Sequence, residues 1–135
     1  HEFEVAYRSV KGLDAEWFLS AQLKLQKGNS EASQQHIKAL LEKRNATQPT
    51  NKPTCGSVFK NPPGDYAARL IEACGLKGYQ VGGAVVSDKH ANFIVNLGNA
   101  TATDIETLIQ HIQTQVQNQF GITLQTEVCR IGEAL

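Results

Sequence analysis

The spacing of apolar and polar residues predicts strands first and helices later. Phe3 to Arg8 reads as a short strand. Trp17 to Leu25 reads as a second, because Leu19, Ala21, Leu23 and Leu25 alternate with Ser20, Gln22 and Lys24, the period of a half-buried strand. Lys27-Gly28-Asn29-Ser30 breaks that pattern and offers N-cap candidates for a helix from about Glu31 to Arg44, with Ala32, Ile37, Leu40 and Leu41 on its inner face. The next stretch, NATQPTNKP from Asn45 to Pro53, is polar and carries two prolines. It marks a domain boundary between residues 1–48 and 49–135.

Past the boundary, Cys55 to Gly64 reads as a short strand closed by a turn. Asp65 is placed to cap a helix through about Cys74, with Ala67, Leu70, Ile71 and Cys74 on one face and Gly75 ending it. Val81 to Ser87 and Asn92 to Asn96 read as strands separated by the polar turn Asp88-Lys89-His90. Thr103-Asp104-Ile105-Glu106 has the form of a capping box. After it, Ile105, Leu108, Ile109, Ile112 and Val116 keep the helical period until Gly121 stops it, and Ile122 to Ile131 forms a last strand. The fold class is α+β: a small sheet with helices packed on one face, preceded by a strand-strand-helix segment.

Composition narrows the function classes. At 135 residues the chain has room for one core and part of another. Thirteen Lys plus Arg balance thirteen Asp plus Glu, against the clustered positive charge that a nucleic-acid or anionic-membrane binder needs. No apolar run approaches the roughly 18 residues of a membrane helix, and the opening His1-Glu2-Phe3-Glu4 is not a signal peptide. Three scattered cysteines, Cys55, Cys74 and Cys129, point to a reducing, cytoplasmic setting. Neither CxxC nor HxxxH spacing occurs, so no zinc site is expected. The chain has no methionine and opens on His1, which leads us to expect a piece of a longer protein.

Chemistry-bearing candidates are few on residue type alone. Ser57 stands beside Lys60 and Asn61, a hydroxyl, a cation and an amide suited to an oxyanion or phosphate, although an ordinary serine turn explains the same residues. Glu127 interrupts the last strand, and strict alternation puts it on a solvated outer face with Gln125 and Cys129. Arg8, next to Tyr7, reads as a surface cation. Gly82-Gly83 permits close backbone approach to a ligand, or a bulge. His90 reads as an exposed turn residue, and His36 and His111 as helix flanks.

Three stretches taken together are more specific: GSVFKNPPGDYAARLIEACGLKGYQVGGAVVSDKHANFIVN, NATATDIETLIQHIQTQV and FGITLQTEVCRIGE. They resemble the C-terminal part of the UDP-N-acetylenolpyruvoylglucosamine reductase (MurB) family, almost continuously from Cys55 to Glu133 and more weakly at AYRS and RNATQP. The resemblance implies a flavoenzyme of peptidoglycan precursor synthesis. In it NADPH reduces FAD, and the flavin passes hydride to UDP-N-acetylglucosamine enolpyruvate to give UDP-N-acetylmuramate. It implies Ser57 as proton donor to the α-carbon, with Arg8 and Glu127 flanking the substrate carboxylate. A carboxylate beside a carboxylate repels unless one is protonated, which makes Glu127 a partner acid. Tyr7 belongs to the same motif as Arg8. Asn61, with Lys60 beside it, is implied at the UDP phosphates, and Lys89 and His90 near the nucleotide sugar. Some members place a phosphate-binding lysine where this chain has Thr47. Residues 1–48 would be the end of the FAD-binding lobe, and 49–135 the substrate-binding domain. Without most of that lobe, this chain is expected to bind FAD poorly or not at all and to be inactive alone. The alternative is a non-catalytic nucleotide-sugar-binding module.

Overall fold

The computed structural model describes residues 3–12 and 17–132. His1 and Glu133, both used in the sequence reading, lie outside them. The chain divides into two compact units, His1–Ile37 and Lys38–Leu135, and the division falls inside a helix.

In the first unit, β1 (Glu4–Ala6) and β2 (Ser9–Lys11) form an antiparallel hairpin with Val5 opposite Val10. The expected strand at Phe3–Arg8 is therefore shorter: it stops at Ala6, and Arg8 sits in the turn with φ 55°. The second strand is Ser9–Lys11, not Trp17–Leu25. Alternation says which face of a strand would be buried, but a strand also needs a partner for its backbone groups. Residues 17–29 pair with no strand among the described residues, and Leu19, Leu23 and Leu25 are all exposed.

Helix α1 spans Ser30–Thr47, starting where Asn29 Oδ1 accepts the Ala32 N–H at 3.0 Å. Its expected inner face is not an inner face. No α1 residue is buried, and Ile37, Leu40 and Leu41 are each more than half exposed.

The second unit holds the core. Helix α2 (Ala67–Ala73) buries Ala67, Leu70 and Ile71. Its N-terminus is satisfied differently from the expected Asp65 cap: Asn61 Oδ1 accepts the Ala67 N–H at 3.0 Å. Asp65 instead takes the Tyr66 N–H and the Arg69 guanidinium, which hold its carboxyl down at about 2. The sheet is β3 (Gln80–Val81), β4 (Ala84–Val86) and β5 (Ile94–Asn96), antiparallel in that order. What reads as one strand from Val81 to Ser87 is thus a hairpin folded at Gly82-Gly83.

Helix α3 (Ala102–Phe120) packs on β3, β4 and α2 and buries Leu108, Ile109, Ile112 and Val116, the expected stripe. Gly121 ends it in the left-handed conformation at φ 69°, where a side chain would be strained. The capping box lies two residues earlier than the sequence suggests, at Thr101 and Asp104. A tertiary contact accounts for the shift. Asp104 Oδ2 accepts not only the Thr101 N–H at 2.9 Å but also the Gly83 N–H at 3.3 Å, so one carboxylate ties the helix start to the β3–β4 turn. These two N–H groups lower the Asp104 carboxyl below its ordinary value. The approach needs bare glycines: a Cβ on Gly83 would fall 2.4 Å from the Ala100 backbone nitrogen. Gly82-Gly83 serves this helix contact.

The remaining connection is a pair of extended segments. Phe59 bridges Thr126, and Lys60 N–H donates to the Gln125 carbonyl at 2.9 Å. The expected strands at Cys55–Gly64 and Ile122–Ile131 reduce to this contact and the Thr54–Val95 bridge. Asn92 holds the first segment from the other side. Its Oδ1 accepts the Phe59 N–H (3.0 Å), its Nδ2 donates to the Phe59 carbonyl (2.8 Å), and its own carbonyl accepts the Val58 N–H (2.9 Å). Asn92, Val58 and Phe59 are all buried. Asn92→Ala strands two buried backbone groups of Phe59 at once, and we expect it to lower unfolding stability by about 3 kcal/mol or more. Urea titration checks this, and a loss under about 1 kcal/mol contradicts it.

Candidate functional site

The second unit assembles most of the candidate residues around that bridge. Gly56 turns the chain at φ 83° immediately before Ser57, which is half-buried. Val58 then presents its carbonyl to two donors on the facing segment, the N–H groups of Glu127 at 2.8 Å and Val128 at 3.5 Å. Two residues facing one is the pattern of a bulge, which re-aims side chains. Strict alternation fails here for that reason. Glu127 is not on a solvated face: it is half-buried, and its Oε2 is shut off from solvent. Ser57 and Glu127 thus lie on paired segments, one residue apart in register.

Lys60 and Asn61 follow on the Ser57 segment, both half-buried. The Asn61 side-chain oxygen is committed to the start of α2, so its amide NH₂ is the end left to recognise a ligand. Lys89 and His90 come in through the loop that leads to Asn92. Buried Ser87 accepts the N–H groups of Lys89 (3.2 Å) and His90 (3.3 Å) through its Oγ, and Lys89 Nζ donates to the Asn45 carbonyl at 2.9 Å. His90 is not merely an exposed turn residue. Its Nδ1 accepts the Asn92 N–H at 3.2 Å, and its ring packs edge-on to Phe93 at 4.8 Å. Burial lowers its pKa, and nearby Lys77 adds to the effect. A ring accepting at Nδ1 carries its proton on Nε2 and is neutral.

Tyr7 and Arg8 belong to the first unit, at the exposed hairpin turn, where the Arg8 guanidinium lies 5.8 Å from the Tyr7 ring centre. Thr47 turns its hydroxyl back onto the Lys43 carbonyl at 2.9 Å.

Two cavities flank the Ser57 segment. One, of about 440 Å³, is lined by Arg44, Asn45, Lys52, Gly56 and Phe93 among others. The other, of about 570 Å³, is lined by Cys55, Ile105, Ile109, Val128 and Cys129 among others. Sequence reasoning missed Asn92, Arg44 and Lys52. Asn92 left a signal, a polar residue within the apolar run Ala91 to Val95, whereas nothing in the spacing of Arg44 and Lys52 marks their side chains for a shared cavity.

Comparison with known proteins decides the family. The model of the UDP-N-acetylenolpyruvoylglucosamine reductase C-terminal domain matches residues 48–131. The chain belongs to that reductase family. UDP-N-acetylenolpyruvoylglucosamine reductases from Legionella pneumophila (strain Corby) and Methylococcus capsulatus are 63% and 61% identical to it, each over 98% of this chain. The chain spans 44% of the length of each, less than half of the curated relatives it matches. The crystal structure of the Thermus caldophilus reductase (MurB) is 40% identical and superposes with a TM-score of 0.65, over 78% of this chain and 37% of that one. The α+β architecture described above is therefore that of the reductase family.

The depressed His90 pKa gives a test of its place in the loop. The fold favours neutral imidazole, so the unfolded chain binds the extra proton first. Stability is full above the ordinary value of 6.5 and declines as pH falls below it. We expect the thermal midpoint to drop between pH 7.5 and pH 5.5. In His90→Asn, which keeps an acceptor but does not titrate, that drop should shrink. An unchanged drop assigns the pH dependence elsewhere.

Proposed function

We propose that this chain supplies the substrate-binding and proton-donating part of a reductase. That reductase converts UDP-N-acetylglucosamine enolpyruvate to UDP-N-acetylmuramate in cytoplasmic peptidoglycan precursor synthesis. Residues 49–135 are the substrate-binding domain in this reading, and residues 1–48 the end of an FAD-binding lobe. The observation that carries it is the pairing of Val58 with Glu127, which sets the Ser57 hydroxyl and a shielded carboxyl on adjacent segments.

Gly82 and Gly83 are closed by Asp104 and the Ala100 backbone, so this glycine pair leaves no room for a flavin. FAD and NADPH accordingly belong to the full-length enzyme in this proposal, where they supply hydride to the enolpyruvyl β-carbon. What falls to this chain is the proton. Once the β-carbon is reduced, the α-carbon beside the carboxylate is strongly basic, and a hydroxyl as weakly acidic as that of Ser57 suffices across one hydrogen bond. Glu127, shielded from water, is the partner acid. It relays a proton to Ser57 or keeps one between itself and the substrate carboxylate. Tyr7 and Arg8 are proposed at that carboxylate on the resemblance alone.

For the UDP diphosphate we propose Arg44 and Lys52 on the smaller cavity, together with Lys60, the Asn61 amide, Lys89 and the Nε2–H of His90. The first two stand in for the lysine that Thr47 replaces. A guanidinium offers bidentate hydrogen bonds to phosphate oxygens.

Ser57→Ala in the full-length enzyme tests the central claim. Flavin reduction by NADPH should persist while product formation falls about a hundredfold or more. Unchanged product formation would instead favour a module that binds the nucleotide sugar without acting on it. Arg44→Ala should raise KM for the UDP-sugar about tenfold, with kcat little altered, the size of one lost charge-assisted hydrogen bond. Steady-state kinetics at varied UDP-sugar concentration read both parameters.

A further inference from the structure

The larger cavity holds two of the three cysteines, which lie on the two segments that Phe59 and Thr126 bridge. Four residues back from Phe59 is Cys55, and three forward from Thr126 is Cys129. Both are exposed free thiols, and both line the same groove, with Val128 and the α3 residues Ile105 and Ile109 as its apolar wall. Cys74 differs on each count: it is partly buried against the core, and burial raises its pKa. The chain thus presents one pair of accessible thiols and one shielded thiol.

We propose that Cys55 and Cys129 form a thiol-pair modification site that closes to an intramolecular disulfide on exchange with a low-molecular-weight disulfide. One thiolate attacks the small disulfide, forming a mixed disulfide and releasing one small thiol. The other protein thiolate then attacks the protein sulfur of that mixed disulfide and releases the second. Two protein thiols are oxidised, one small disulfide is reduced to two thiols, and the two protein protons leave with them. Cys55 lies two residues before Ser57 and Cys129 two after Glu127, so the closed bond staples together the segments that carry both groups.

The test treats this chain with oxidised glutathione at neutral pH, followed by intact-mass measurement and peptide mapping without reduction. The expected product is 2 Da lighter than the reduced chain, contains a Cys55–Cys129 linked peptide and leaves Cys74 free. It returns to the starting mass with dithiothreitol. Cys55→Ser and Cys129→Ser should each lose the lighter species and instead accumulate a glutathione adduct on the remaining exposed thiol. Because both positions are exposed, the serine variants should fold as the parent does. Glutathione adducts on both cysteines of the parent without the lighter species would overturn the proposal. So would a linkage that includes Cys74.

Discussion

Asn92 is the pin on which this arrangement hangs. A short segment, residues 54–61, has to lie against the sheet and face the segment after α3, yet it pairs with each only at an isolated bridge. The Asn92 carboxamide takes the place of a missing strand by offering Phe59 both a donor and an acceptor at a buried site. In low dielectric such a bond is stronger than in water, and its loss leaves orphaned backbone groups. The Asn92 backbone carbonyl holds the neighbouring Val58 N–H, and the Val58 carbonyl in turn accepts the Glu127 N–H. One residue, through side chain and backbone together, therefore positions both segments.

The loop that delivers Asn92 is itself built from polar contacts. Ser87 gathers two backbone N–H groups, and His90 accepts the Asn92 N–H. These residues sit between β4 and β5, so strand pairing in the sheet sets the reach of the loop. The chain of dependence runs from the sheet, through Ser87 and His90, to Asn92, and on to Ser57 and Glu127. Residues assigned to substrate and residues that hold the fold are partly the same. His90 and Asn61 each have one polar atom engaged in structure and another left to meet a ligand.

Several elements were legible from the residues alone. The apolar stripe of α3 and its Gly121 stop gave a helix with little room for dispute, because the 3.6-residue period over this length has no competing reading. The α2 stripe did likewise. The motif around Ser57 was specific enough to suggest a family, and similarity over nearly the whole chain established it. Less legible were the ends of elements. The α3 cap moved from Thr103 to Thr101 because Asp104 also binds Gly83, a residue 21 positions away. The Val81–Ser87 strand became a hairpin because Gly82 and Gly83 had to lie against Ala100 and Asp104.

The sequence by itself determined which residues prefer helix, where the last helix stops and which motifs resemble a family, since each is written in neighbours a few positions apart. Tertiary structure decided the rest. The alternation at Trp17–Leu25 found no strand partner among the described residues, and the apolar positions of α1 found no cover. A strand or an amphipathic face is only half of an interaction. Glu127 is the sharpest case. Period-two alternation turns it toward solvent, but a bulge opposite Val58 shields its carboxyl instead, and a bulge depends on how two distant segments meet.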